Sequence, residues 1–159
     1  MTTTQQIAKQ FRDVHFGGNW TGVNLKDTLA DISWEQATEK VYTLNTIAVL
    51  VFHINYYVNP VLSVLIGKPL KASDKFSFDL PPITNDEEWQ QLKNKLFADA
   101  ESLALEMEKL DETKLFDVFA DAKYGTYYRN LHGIVEHTHY HLGQISLIKK
   151  ILNQAKTEG

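Results

Sequence analysis

Apolar residues recur three and four positions apart along most of the chain, the spacing that gathers them on one side of a helix. Ile7, Phe11 and Val14 keep it from Thr2 to Phe16, and Gly17-Gly18 then stops the first helix. Residues 20–32 read as a connection with one short helical piece, in which Asn24 caps a turn that puts Leu25 and Leu29 on the same side. Ser33 with Gln36 three residues on is a capping box and predicts that the most apolar helix opens there. One stripe of this second helix holds Val41, Leu44, Ala48 and Val51, and another holds Thr46, Val49, Leu50, His53 and Tyr57. A helix apolar on more than one side belongs at the centre of a molecule. Pro60 should kink or end it near Asn59, because proline lacks a donor and disfavours helix in the residue before it. Val61 to Ile66 then make a further helical turn that Gly67 ends.

Lys68 to Thr84, with Pro69, Pro81 and Pro82, reads as a long loop of the kind that forms lids and rims. Asn85 and Glu88 open the third helix, whose Trp89, Leu92, Leu96, Leu103, Met107 and Leu110 share a face opposite a solvated side of Lys, Glu and Asp. In the connection from Asp111 to Tyr124, the apolar Leu115, Phe116, Val118 and Phe119 are expected to pack onto the helices. The last helix runs from about Thr126 to Gln154, roughly 43 Å at 1.5 Å per residue. Its inward stripe is Tyr127, Leu131, Ile134, Thr138, His141, Ile145, Ile148 and Leu152. These elements predict an all-α protein, a four-helix bundle with long connecting loops, in one domain over residues 1–159.

A chain of 159 residues can bury a sizeable core without covalent or metal staples, so a metal in it is more readily functional than structural. A net charge of -4 and the lack of any Lys/Arg cluster argue against nucleic acid as a partner. There is no cysteine, so a metal site must use nitrogen and oxygen, and any thiol in the chemistry must arrive as a cosubstrate. The polar amino terminus and the interruption of the apolar run 41–66 by His53, Asn55, Asn59 and Pro60 predict neither signal peptide nor membrane span, hence a cytoplasmic protein.

Candidate chemistry concentrates in the last helix, where residues 132–144 hold four of the six histidines. His137 and His141 lie four apart, with β-carbons about 5–6 Å from one another, and can aim both imidazoles at one point. A histidine-rich metal site needs a third ligand, and His53, on an apolar stripe of another helix, is its source. Three neutral imidazoles with an open position suit a catalytic or ligand-binding metal. The rival reading makes them core histidines satisfied by carbonyls or hydroxyls. His132, His139 and His15 are weaker ligand candidates: His132 shares another face with Glu136 and Tyr140 and His139 points away from the pair, so both are expected at the surface or behind the site. A phosphate-binding glycine loop, a Gly-x-Ser-x-Gly elbow and a His-Glu-x-x-His motif are all missing. Asp86-Glu87-Glu88 read as first-turn helix charges.

The segment His137-Thr-His-Tyr-His141-Leu-Gly-Gln144-Ile145, the single His53 in a long apolar helix, and Asn19-Trp-Thr-Gly22 leading to Ser33-Trp-Glu-Gln-Ala37 resemble the DinB-like superfamily over nearly the whole chain. The resemblance implies a divalent metal such as nickel or zinc on His53, His137 and His141. It further implies either a metal-dependent enzyme of the thiol-transferase or hydrolase type acting on a small molecule with a low-molecular-weight thiol, or a non-catalytic metal-binding or stress-response bundle. Homodimers are common in that family, and Tyr127 and Tyr128 are expected on an exposed surface. The pocket is expected between the second and last helices, rimmed by residues 68–84, with Gln144 and Asn55 as its polar groups.

Overall fold

The computed structural model describes residues 1–157 and is all-helical. Among these residues there is no β-strand, only an isolated antiparallel bridge between Val118 and Thr126. Helix α1 spans Thr3–Phe16. Thr2 accepts from the Gln5 amide while Gln5 Oε1 accepts from the Thr2 amide, and Gly17 ends the helix at φ 113°. Asn24 accepts from the Asp27 amide and starts α2, Leu25–Leu29, with both leucines buried.

The predicted second helix is the main departure. The Ser33–Gln36 capping box forms, yet it opens only the five-residue α3, Trp34–Thr38, because Glu39 is already extended. Tyr42 then takes φ 51°, a left-handed conformation that interrupts any helix. Thr46 accepts from the Val49 amide and caps α4, Ile47–Tyr56. Thr46 thus supplies a second start, and Leu44, on the expected inward stripe, is exposed. Tyr57 closes α4, and α5, Val58–Leu65, follows directly, with Pro60 in its first turn where the missing donor costs little. Ile47–Leu65 is long and apolar enough to cross a membrane by length and composition, but here Ile47, Val51, Ile54, Val58 and Val61 are core residues.

After the loop 68–84, which contains one 3-10 turn at Asp74–Phe76, Asn85 caps α6, Asp86–Lys109. Its solvated side has one exception: Lys93 is buried, its ammonium 5.2 Å from the centre of the Trp89 ring. In the next connection only Leu115 and Phe119 are buried, while Phe116 and Val118 face outward. A 3-10 turn over Glu112–Phe116 sends the neighbouring Leu115 and Phe116 to different sides, so both cannot reach the core. Helix α7 runs Tyr127–Thr157. Its predicted stripe is buried from Leu131 to Leu152, and Tyr127 is half-buried with its ring edge-on to Phe119, so only Tyr128 of that pair is exposed.

Both α6 and α7 pack against α1 and against α4–α5. The core has two parts. One gathers Leu25, Leu29, Val51, Ile54, Trp89, Leu96, Leu142 and Ile145, and the other Phe11, Val58, Val61, Leu103, Met107, Leu131 and Ile134. His53 immediately precedes Ile54, the last α4 residue of the first part, with Val58 of the second part following on α5, and His137 and His141 lie between Ile134 and Ile145, so the histidines sit close to where the two parts meet.

Candidate metal centre

His53 occupies the last turn of α4, and His137 and His141 occupy the middle of α7. One ring nitrogen from each lies within 4.8 Å of the others. His53 and His141 are buried and His137 is half-buried. The cluster is walled by aromatics. Phe78 stacks on His53 with centroids 3.7 Å apart, and Tyr57 meets His53 and His137 edge-on at 5.3 and 5.0 Å.

Hydrogen bonds fix two of the three tautomers. His53 Nδ1–H donates to the Ser77 carbonyl at 3.1 Å, and His141 Nδ1–H donates to Gln144 Oε1 at 2.7 Å. Each therefore turns an Nε2 lone pair toward the cluster. His137 Nε2–H then donates to His53 Nε2 at 3.1 Å, which leaves His137 Nδ1 buried without a partner. Moving that one proton to Nδ1 frees a third Nε2 lone pair. Three neutral nitrogen donors without a carboxylate fit a borderline transition ion such as zinc or nickel, and fit magnesium or calcium poorly.

Burial is the first reason that all three imidazoles resist protonation. It lowers His53 and His141, and it takes His137 from 6.5 to about 4 with help from the neighbouring His141 and His53. Each imidazole therefore stays neutral to lower pH than a free histidine, which favours a cation.

The long loop shapes this end of the molecule. Beyond Ser77 and Phe78, its Ser73 carbonyl accepts from the Tyr56 hydroxyl at 2.8 Å and its Asp74 carboxylate from the Tyr57 hydroxyl at 3.0 Å. A cavity of about 520 Å³ opens beside the histidines, lined also by Tyr57, Val61, Arg129, Gly133 and Tyr140. Gln144 holds His141 instead of lining this cavity. Asn55 lies elsewhere: two residues from His53 on a helix, it faces α6, where Nδ2 donates to Asp99 at 2.8 Å, and it lines a separate cavity of about 580 Å³. Tyr57, one turn after His53, was findable from its spacing, whereas Phe78 carries no local signal.

The other histidines stay out of the cluster. His132 is half-buried with its ring against Tyr128, and His139 is half-buried with Nδ1–H on the Val135 carbonyl. His15 is fully buried in α1, donating to the Phe11 carbonyl at 2.8 Å. Its position on the inward side of α1, four residues after Phe11, overrides its polarity. Comparisons of the chain with family models, characterised proteins and solved structures find no match.

Burial lowers His15 from 6.5 to about 4. The unfolded chain therefore takes up this proton near pH 6.5 and the folded chain only near 4, so stability present above 6.5 is lost as pH falls between those values. Going from pH 7 to pH 5 should cost about 2 kcal/mol through His15 alone. Urea midpoints of wild type and His15→Leu measured at both pH values check this. An equal pH dependence in the two proteins would show that His15 titrates normally.

Proposed function

We propose that this chain is a divalent-metal protein whose ligands are His53, His137 and His141, and that the ion, nickel or zinc, serves a metal-dependent enzyme of the thiol-transferase or hydrolase type. The observation that carries the reading is the convergence of three ring nitrogens within 4.8 Å, two of them with Nδ1–H anchored behind them. Core histidines need no such convergence, since each could bond a nearby carbonyl through Nδ1, as His15 does. On this reading Ser77 and Gln144 set the tautomers, while Phe78 and Tyr57 keep bulk water from two sides of the rings. When bound, a divalent ion supplies Lewis acidity that makes a thiol or water nucleophilic near neutral pH.

The resemblance of residues 137–145 to the DinB-like superfamily supports the same reading, and with it a four-helix bundle formed by α1, α4–α5, α6 and α7. We extend the proposal to a cytoplasmic homodimer that uses a low-molecular-weight thiol, with Tyr128 as a candidate surface aromatic. One feature favours the non-catalytic alternative: among the described residues no carboxylate lines the histidine cavity to act as general base. Metal content decides the first step. Protein purified without a histidine tag should carry close to one equivalent of divalent transition metal, measured by elemental mass spectrometry. Absence of stoichiometric metal after loading with zinc and nickel would overturn the proposal. Screening the loaded protein with thiols and electrophiles then separates enzyme from binding protein.

A further inference from the structure

Arg129, Gly133, His137 and His141 recur every fourth residue of α7 and all four line the histidine cavity. They form one row along the helix. Among the described residues Arg129 is the cavity's only charged lining residue, and its guanidinium has no ion pair and no hydrogen bond. Gly133 is equally telling. A glycine inside a helix costs about 1 kcal/mol relative to alanine. Packing does not demand it, since a Cβ at this position would meet no atom within 4 Å. The effect of the missing side chain is open floor between the arginine and the histidines.

We propose that this row is a binding track for an elongated monoanion, with a carboxylate on Arg129, its chain across Gly133, and a donor group at the far end on the metal; this rests on the metal reading above. Eight residues separate Arg129 from His137, about 12 Å along the helix axis, which sets the length scale of the ligand. The charge follows from the lining. One guanidinium matches one carboxylate through paired N–H donors, whereas a phosphate dianion calls for further cations that this cavity lacks.

The test uses cobalt(II)-loaded full-length protein, because thiolate coordination to cobalt gives an optical signal. The probes are straight-chain mercaptocarboxylic acids of increasing length and mercaptoalcohols of matching length. Wild type should bind an acid of intermediate length about tenfold more tightly than its alcohol partner, as expected for charge-assisted hydrogen bonds. In Arg129→Gln that ratio should fall to about one with cobalt content unchanged. Gly133→Leu should weaken both long probes without loss of cobalt. Equal binding of acid and alcohol by wild type, or a preference retained in Arg129→Gln, overturns the track while leaving the metal reading intact. Failure to take up cobalt at all overturns both, and the cobalt content distinguishes the two failures.

Discussion

His53→Ala is expected to lower zinc or nickel affinity by at least about 100-fold, measured by competition with a chromogenic chelator. Loss of a residue that merely orients a ligand typically costs 10- to 100-fold, so loss of a ligand sets the higher mark. The geometry makes His53 the decisive residue of the three. His137 and His141 stand on one helix and remain two ligands without it, which is too few for a high-affinity site. Gln144→Ala, which frees His141 Nδ1 from its anchor, should lose between 10- and 100-fold. His139→Ala should change nothing, because that ring bonds the Val135 carbonyl outside the cluster. The alanine variant also loses the stacking partner of Phe78, so His53→Gln, which keeps bulk and polarity, guards against a folding artefact. Affinity in His53→Gln within a few-fold of wild type would sink the three-histidine site. Wild-type affinity should fall as pH drops, because each imidazole must be neutral to bind, and the fall should come at lower pH than for free imidazoles, since burial lowers all three and His137 to about 4.

Much of this was legible in the chain because the governing interactions are local. The caps at Asn24 and Asn85 act within one helical turn, and the stripe of α7 repeats often enough to fix which side turns inward. The pairing of His137 with His141 is likewise a matter of spacing, and His53 follows once a partner helix is required. Where two local signals compete, the sequence is ambiguous. Ser33 and Thr46 both cap helices, and the extended Glu39 and left-handed Tyr42 between them break what would otherwise be a single long helix. Position around a short helix also went unread at Asn55, since an apolar stripe broad enough to include both sides of α4 cannot say which neighbour each polar residue meets. The fold of the loop 68–84 was beyond sequence reasoning. Its seat on the site depends on Tyr56, Tyr57 and His53, contacts 17 to 24 residues away in the chain, and no periodicity encodes them.

Trp89→Ala is expected to destabilise the fold by about 3–5 kcal/mol, a large share of the roughly 5–15 kcal/mol available to a domain. The indole is fully buried between α6 and the segment that joins α2 to α3, and its Nε1–H donates to the Ile32 carbonyl at 2.8 Å. Truncation leaves a cavity and an orphaned carbonyl together. Trp89→Phe separates these, keeping most of the apolar contact while stranding the Ile32 oxygen, at an expected cost of about 1–3 kcal/mol. Urea unfolding followed by circular dichroism measures both. A loss below about 1 kcal/mol in Trp89→Ala would mean that this junction is not packed as described. None of the three histidines lies on α6, so Trp89→Phe should keep wild-type metal affinity, and saturating zinc should raise its unfolding midpoint by mass action. That rise should vanish in the double variant with His53→Gln. Stability and metal binding are then set by different residues of the same core, joined only through the preference of the ion for the folded state.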